Sequence, residues 1–298
     1  MNDVPIIYEL GAPEFERAKP LFADARYDAA FLGAVFEGRQ EGRMFVDDPC
    51  RPSAALLCRT YEYFVTGDAT NAALRRFIVE APAEARVFAE LYGYVGLSAA
   101  WDAALRGDHG DRLDVIGRRC FRFPARGAER VAGWRERVPP GVRVQPIDRP
   151  LAERIDEVLR EGIGTTWGGY ERFTANGFGL CALIDDQPVS VGVTAAVGWG
   201  EANIGVITAA AHRRKGLAWL VCAAYIKECQ RRGLVATWDC DVSNTASRAL
   251  ALNLGFGEER SFSELAPPGR ASLALSRGRW VATASEGNAI AAWSASPR

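Results

Sequence analysis

Several things are scarce in this chain of 298 residues, and each scarcity removes a class of function. It has two His, His109 and His212, too few to build a histidine metal centre. Its seven Cys, at positions 50, 58, 120, 181, 222, 229 and 240, form no C-x-x-C pair, and most lie in apolar stretches. That pattern argues against a zinc site or a disulfide framework and for a reducing compartment, the cytoplasm. No apolar run approaches the roughly 20 residues of a membrane span. Met1-Asn2-Asp3 lacks the basic start of a signal peptide. A dominant charge is missing too: 36 Lys+Arg against 37 Asp+Glu leave a net charge of -1. Neither nucleic acid nor a membrane surface is therefore an expected partner.

What is present is apolar material, 48% of the residues, enough for a sizeable core in each of two domains. The Arg137-Val138-Pro139-Pro140-Gly141 stretch marks a boundary, giving an N-terminal unit over 1–140 and a C-terminal unit over 141–298. In the first unit we expect a helix from Ala12 to about Gln40 and a strand over Met44–Asp48. A hairpin follows from Ala54–Cys58 and Tyr61–Thr66, then a helix over Asn71–Glu80 capped by Asn71. A strand over Val87–Tyr94 and a helix over Ser98–Leu105 complete it. No chemical motif stands out there.

In the second unit Val142–Gln145 alternates as a strand and Leu151–Glu161 reads as a helix. Tyr170–Asn176 reads as a connection. Phe178–Ile184, Val189–Val197 and Ala202–Thr208 form an antiparallel meander with turns at Asp185–Pro188 and Gly198–Gly200. A helix from Gly216 to about Arg231 returns the chain to Val235–Val242, parallel to the preceding strand. From Pro267 the composition turns to Ala, Ser, Gly and Arg, with strands conceivable at 271–275 or 280–284.

Two segments of this unit carry chemistry. In Arg213-Arg214-Lys215-Gly216-Leu217-Ala218 a small-residue turn opens a helix. Free amides at a helix N-terminus, helped by the dipole, suit a phosphate, and the basic side chains add charge at the rim. A solvated basic turn before an ordinary helix would read the same way. In Trp238-Asp239-Cys240-Asp241 the strand period puts Val235, Thr237, Asp239 and Asp241 on one face and Ala236, Trp238, Cys240 and Val242 on the other. The second set is a natural core face. The two carboxylates are either a solvated strand end or working groups. Asn244 then caps a helix that ends at Gly255.

Together these segments resemble the GNAT superfamily of acyl-CoA-dependent N-acyltransferases. Arg213-x-x-Gly216-x-Ala218 is similar to its pyrophosphate signature, and Asn244, Ser247 and Gly255-Phe256 to its second signature. Four stretches also recur together in the two-domain branch that includes the zwittermicin A resistance acetyltransferase. They are Phe45-Val46-Asp47-Asp48-Pro49, Tyr63-Phe64-Val65-Thr66-Gly67-Asp68, Lys215-Gly216-Leu217-Ala218 and Trp238-Asp239-Cys240-Asp241.

The resemblance implies an α/β fold with a mixed sheet. The C-terminal domain would carry splayed central parallel strands, and the smaller N-terminal α/β domain could be a degenerate copy. It implies acetyl-CoA (coenzyme A) as cofactor and a small-molecule primary amine as acceptor, an antibiotic among the candidates. By the same resemblance, backbone of Val206, Ile207 and Thr208 pairs with the pantetheine arm. The stretch Arg213, Arg214, Lys215, Gly216, Leu217 and Ala218 holds the pyrophosphate, with Trp219 behind it. Asn244 and Ser247 face the thiol end. Asp239 takes the place of a general base, Asp241 and Glu201 become candidate substrate-binding groups, and Trp167, Tyr170 and Phe173 candidate pocket walls. Many members carry a Tyr that protonates the departing thiolate. Here that place is Ala251, so Ser247, a water or direct release of the thiolate would have to replace it. Another branch puts a base near Ala202, between Glu201 and Asn203. A non-catalytic acyl-CoA-binding or sensing module is the alternative function.

Overall fold

The computed structural model describes residues 6–23, 25, 29–80 and 91–266. The strands expected at 271–275 and 280–284 lie outside them, as does the start of the strand expected from Val87.

The C-terminal half begins with one strand, a group of helices, then a meander. In chain order the N-terminal half contributes β1 (Tyr8–Leu10), α1 (Ala29–Phe36), β2 (Gly42–Val46), β3 (Ala54–Arg59), β4 (Tyr61–Gly67), α2 (Ala72–Glu80), β5 (Leu91–Gly96), α3 (Ala99–His109) and β6 (Asp114–Arg122). The C-terminal half contributes β7 (Val142–Pro146), α4 (Arg149–Leu159), α5 (Ile163–Trp167), α6 (Tyr170–Asn176), β8 (Gly179–Ile184), β9 (Gln187–Gly198), β10 (Glu201–Thr208), α7 (Leu217–Arg231), β11 (Val235–Asp241), α8 (Thr245–Leu254) and β12 (Gly257–Ala266). Element for element the second list repeats the first: strand, helical segment, three-strand meander, helix, parallel strand, helix, strand. The N-terminal half is a second, degenerate copy of the same fold.

All twelve described strands join one sheet, in the order β1-β2-β3-β4-β5-β12-β6-β11-β10-β9-β8-β7. The order is symmetric about its centre, because each half gives its last strand to the other. β6 pairs with β11 of the second half, while β12 pairs with β5 of the first. β6 and β12 then pair with each other through nine registers, from Gly257↔Arg122 to Ala266↔Asp114. The boundary stretch at 137–141 therefore separates two repeats in sequence but not two sheets in space.

Local rules account for the helices. α4 starts at Asp148, whose Oδ1 accepts from the Leu151 amide at 2.9 Å, with Pro150 in the first turn. Leu151, Ile155 and Leu159 form its buried stripe. It ends at Arg160, which is left-handed at φ +57°, so Glu161, expected inside the helix, lies just beyond it. Tyr170–Asn176 is a short helix, not an open connection. The long helix expected over Ala12–Gln40 is broken into two 3-10 segments, Ala12–Arg17 and Lys19–Phe22, and α1. Pro13 and Pro20 explain the break, since proline lacks the amide and clashes with the preceding turn.

The largest core lies in the C-terminal half. Trp167, Phe173, Tyr225 and Trp238 are fully buried there, each such side chain contributing about 2–3 kcal/mol by burial. α7 covers β8, β9 and β10 on one face. On the other face α1 of the N-terminal half lies on β9 at unusually close range. A β-carbon on Gly198 would stand 2.2 Å from the Ala34 amide nitrogen, and one on Gly33 2.6 Å from the Gly198 carbonyl carbon. Two glycines thus let a helix backbone touch a strand backbone, and Ala30, Ala34 and Ala196 fill the rest. Gln40 adds a polar clamp. Its Nε2 donates to the carbonyls of Ala195 (2.9 Å) and Thr166 (3.2 Å). Ala195 is the residue that β9 inserts where its register with β10 shifts.

Candidate functional site

β10 and β11 run parallel, but their pairing covers only Glu201↔Val235, Ala202↔Ala236 and Asn203↔Thr237. Beyond that point β10 stays with β9 as far as Thr208, and β11 stays with β6 as far as Asp241. The two strands therefore splay into a V that opens toward their C-terminal ends. Backbone along Val206, Ile207 and Thr208 forms one wall of this V.

The chain leaves this wall through a turn that ends at the N-terminus of α7. Arg214 and Gly216 are left-handed, at φ +62° and +81°. Gly216 is the N-cap of α7 and brings no capping side chain, so the first amides of the helix are not used by a cap. A β-carbon at Gly216 would meet nothing within 4 Å. Arg213, Arg214, Lys215 and Gly216 are exposed, whereas Leu217 is buried and Ala218 and Trp219 are half-buried. Arg137 lies over the Trp219 ring at 4.4 Å from its centroid. Open amides, positive dipole and exposed basic side chains at the mouth of a V fit an elongated ligand with phosphates at one end.

On the face away from α7 an open cleft lies against the sheet, with about 520 Å³ of empty space that merges with solvent. Its wall spans both halves: Glu62 and Phe64 from β4, Val95 from β5, Arg118 and Arg122 from β6, Asn203 from β10, Asp239 from β11 and Glu264 from β12. Phe31 of α1 closes one side. The lining holds the carboxylates of Glu62, Glu201, Asp239, Glu259 and Glu264 against the guanidiniums of Arg118 and Arg122, an acidic excess.

The strand period holds in β11. Ala236, Trp238 and Cys240 are buried in the C-terminal core, and Thr237 and Asp239 line the cleft. Asp239 is not free, however. Arg118 donates to its Oδ1, and Asn203 Nδ2 donates to its Oδ2 at 3.1 Å. Glu264 lies 3.7 Å from the same guanidinium. Burial would lower the Arg118 pKa, but the two carboxylates outweigh that and hold it above its usual value. Glu201 accepts from Arg122. Burial still raises its pKa, against the opposing effect of that guanidinium.

Other expected site residues fall elsewhere. Asp241 Oδ1 accepts from the amide and hydroxyl of Ser243, so it shapes the turn before α8. Asn244 Oδ1 accepts from the Ser247 amide at 3.0 Å, the N-cap expected of it. Ser247 Oγ accepts from Trp238 Nε1 at 3.0 Å, which ties it to the core face of β11, opposite Asp239. Ala251 is fully buried. Trp167 and Phe173 stack edge to face in the core, and the Tyr170 hydroxyl donates to Asp156, so these aromatics do not wall the cleft. The residues that do, Arg118, Arg122, Glu62 and Glu264, were missed. The clue was weak: Glu62 lies in the expected hairpin strand, but Arg118, Arg122 and Glu264 lie in stretches that lack a clear strand signal.

A splayed parallel pair joined by a glycine-led helix is the arrangement that the resemblance to acyl-CoA transferases implied. The family description GNAT acetyltransferase matches residues 19–264. The chain belongs to the GNAT acetyltransferase family. It is similar to YdfB of Bacillus subtilis (strain 168), named as an uncharacterized N-acetyltransferase, with 25% identity over 252 residues, 84% of this chain and 95% of that one. In fold it is similar to a GCN5-related N-acetyltransferase-like protein from Streptococcus suis (TM-score 0.69, 23% identity, 86% of this chain and 99% of that one). It is also similar to a tandem GNAT protein from the clavulanic acid biosynthesis pathway (TM-score 0.59, 14% identity, 87% and 97%). The chain is an acyltransferase, and enzymes of this GNAT family use acetyl-CoA as acyl donor.

Proposed function

We propose that this enzyme transfers an acetyl group from acetyl-CoA to a primary amine of a small cationic molecule in the cytoplasm. The observation that carries the reading is the coupling of two spaces across one strand pair. The V between β10 and β11 ends at the basic turn of α7, and the face away from α7 is an acidic cleft.

The residues present fit the donor. Amides from Arg214 to Ala218 would hold the pyrophosphate, with Arg213, Arg214 and Lys215 at its rim and Trp219 behind. Backbone of Val206 and Thr208 would pair with the pantetheine arm, and Asn244 and Ser247 would lie toward its thiol end. Bound there, acetyl-CoA supplies a thioester carbonyl open to attack and a thiolate leaving group.

The cleft carboxylates favour an ammonium-bearing acceptor over an anionic one. Glu201 and Glu259 stand at its wall, and an amino-bearing metabolite, antibiotics included, is the acceptor class. Asp239 was expected to act as the base. Arg118 donates to one of its oxygens and Asn203 to the other, so its hydrogen bonds already serve to hold neighbouring side chains in place. We assign it to positioning: it fixes Asn203 and Arg118 at the apex of the V.

Thiol release from acetyl-CoA, followed across a panel of amines and carboxylate-bearing analogues, tests the function. Turnover on cationic primary amines with little on the anionic analogues is the expected result. Tight CoA binding with no turnover on any amine would refute it and leave an acyl-CoA sensor.

A further inference from the structure

A carboxylate outside the cleft lining has the better placement for proton transfer. Along β10 the residues alternate between faces. A β-carbon on Gly192 of β9 would face Ile204 Cδ1 and the Val221 backbone, so Ile204 looks toward α7. Asn203 and Gly205 therefore look the other way, toward the acceptor side. At Gly205 the space is taken by Glu161: its Oε1 lies 2.8 Å from where a β-carbon would be. Asn203 at the apex and Gly205 are two residues apart, about 7 Å along the strand. Glu161 thus stands on the acceptor face, against the strand expected to carry the thioester, one step past the apex.

The backbone puts it there. α4 ends at left-handed Arg160, and Gly162 is left-handed at φ +79°, so the chain doubles back between α4 and α5. Asp156 holds this loop, accepting from the amides of Ile163 (2.8 Å) and Gly164 (2.9 Å) and from the Tyr170 hydroxyl (3.1 Å). The N-terminal half closes the other side: Tyr61 is left-handed at φ +83° and brings its hydroxyl to 3.7 Å from a β-carbon position on Gly162. The groups around Glu161 are thus Asp156 on α4, Tyr170 on α6, Tyr61 at the β3–β4 turn, and Arg160, which is exposed to solvent. No guanidinium or ammonium is paired with Glu161 among the described ion pairs, in contrast to Asp239 and Glu201.

We propose that Glu161 is the general base that takes the proton from the acceptor ammonium. This rests on the acetyl-transfer reading above. The ammonium gives one proton to the Glu161 carboxylate, and the freed nitrogen lone pair forms the bond to the thioester carbon. The carbon–sulfur bond breaks with its electron pair on sulfur. The second nitrogen proton leaves as the amide forms and neutralises the thiolate, and Glu161 returns its proton to solvent. Burial, and then the neighbouring Asp156 charge, push the Glu161 pKa up to about 8, which suits a base working near neutral pH. The N-terminal repeat also reaches this loop, because the Tyr61 hydroxyl lies beside Gly162, the residue after Glu161.

The test compares wild type with Glu161→Gln and Gly205→Ala. The second variant leaves Glu161 in place chemically but pushes its flexible carboxyl end away from the strand. In the CoA-free protein, ¹³C-glutamate NMR should show a carboxyl titrating near 8 that is missing from Glu161→Gln. With acetyl-CoA and a turned-over amine, kcat should fall by about 10²–10⁴-fold in Glu161→Gln, and less in Gly205→Ala, at unchanged CoA affinity. The rise of kcat/KM through the wild-type pKa should vanish in Glu161→Gln, leaving only the titration of the amine itself. Full rate or an unchanged pH profile in Glu161→Gln overturns the base assignment while leaving acetyl transfer standing. A Glu161 carboxyl that titrates in the ordinary range overturns it too. If wild type acetylates no amine, the function itself fails and this proposal with it.

Discussion

The two halves share one topology and differ where it counts. In the C-terminal half the parallel pair β10/β11 holds for three registers and then parts. In the N-terminal half the parallel pair β4/β5 stays together from Tyr61↔Leu91 to Val65↔Gly96, and the Leu97 amide adds a further bond to Val65. The segment after the first parallel strand differs as well. In the C-terminal half it is Arg213-Arg214-Lys215-Gly216, exposed and basic. In the N-terminal half it is Gly67-Asp68-Ala69-Thr70-Asn71, acidic and occupied by its own side chains. Asp68 accepts from the Thr70 amide and hydroxyl. Asp47 accepts from the amides of Ser53 and Ala54, the Ser53 hydroxyl and Asn71 Nδ2. Asn71 caps α2 through the Leu74 amide at 3.0 Å, and Trp101 Nε1 donates to the Gly67 carbonyl at 2.9 Å. The N-terminal repeat has turned its counterpart of the cofactor turn into a structural knot. A closed strand pair and a filled, acidic turn leave no slot for a phosphate-bearing arm.

Breaking the joint between the repeats should cost most. Gly198→Val forces a side chain into the Ala34 backbone and should destabilise the protein by about 3 kcal/mol. Denaturant unfolding would show it as a lower midpoint, with CoA affinity reduced only as far as the folded fraction falls. Asp47→Ala comes next. It strands four donors of the N-terminal knot and should cost about 2 kcal/mol, while the KM for acetyl-CoA stays put. The Asp47 pKa is lowered, since hydrogen bonds from Ser53 and Ala54 outweigh burial. Its contribution is therefore present above the usual carboxylate range and lost as pH falls through its depressed value, and acid unfolding of wild type and Asp47→Ala should converge.

How much of this was legible in the sequence differs between the same regions. The meander, α7, β11 and the Asn244 cap were readable because each announces itself locally, by alternation, a glycine, or a cap followed by an apolar run. β6 and β12 were not. They form the centre of the sheet, yet Arg118, Arg119, Arg122, Glu258 and Glu264 interrupt their apolar pattern, because those residues pair across the exchanged strands and around the cleft. Only the partner strand, far away in sequence, makes such residues affordable. Asp47 and Asp68 were recognised as part of a recurring pattern, but their work as hydrogen-bond acceptors needed the turn to be seen. Glu161 was hidden by a boundary: counted as the last residue of α4, it reads as surface, and the left-handed Arg160 is what turns it inward.

Smaller effects sharpen the contrast between the turns. Gly216→Asp puts a β-carbon at φ +81° and a negative charge at the α7 N-terminus. It should weaken CoA binding about tenfold to a hundredfold, or roughly 1.4–2.8 kcal/mol, by calorimetry. Asp68→Arg, the opposite change in the N-terminal turn, should leave CoA binding as it was. The stability of the fold also carries a pH dependence tied to Glu161. A carboxylate whose folded pKa is raised stabilises the fold at low pH and loses that contribution as pH rises through about 8. Glu161→Gln should therefore melt higher than wild type above that value, with the two curves closing toward acid pH.

The central claim is that one repeat holds the acyl donor and the other does not. A crystal structure with CoA bound tests it most directly. The account predicts the pantetheine arm between β10 and β11, the pyrophosphate at the amides of 214–218, and the thiol within reach of the face that carries Asn203 and Glu161. CoA seated between β4 and β5, or bound outside the V with β10 and β11 unengaged, would contradict it.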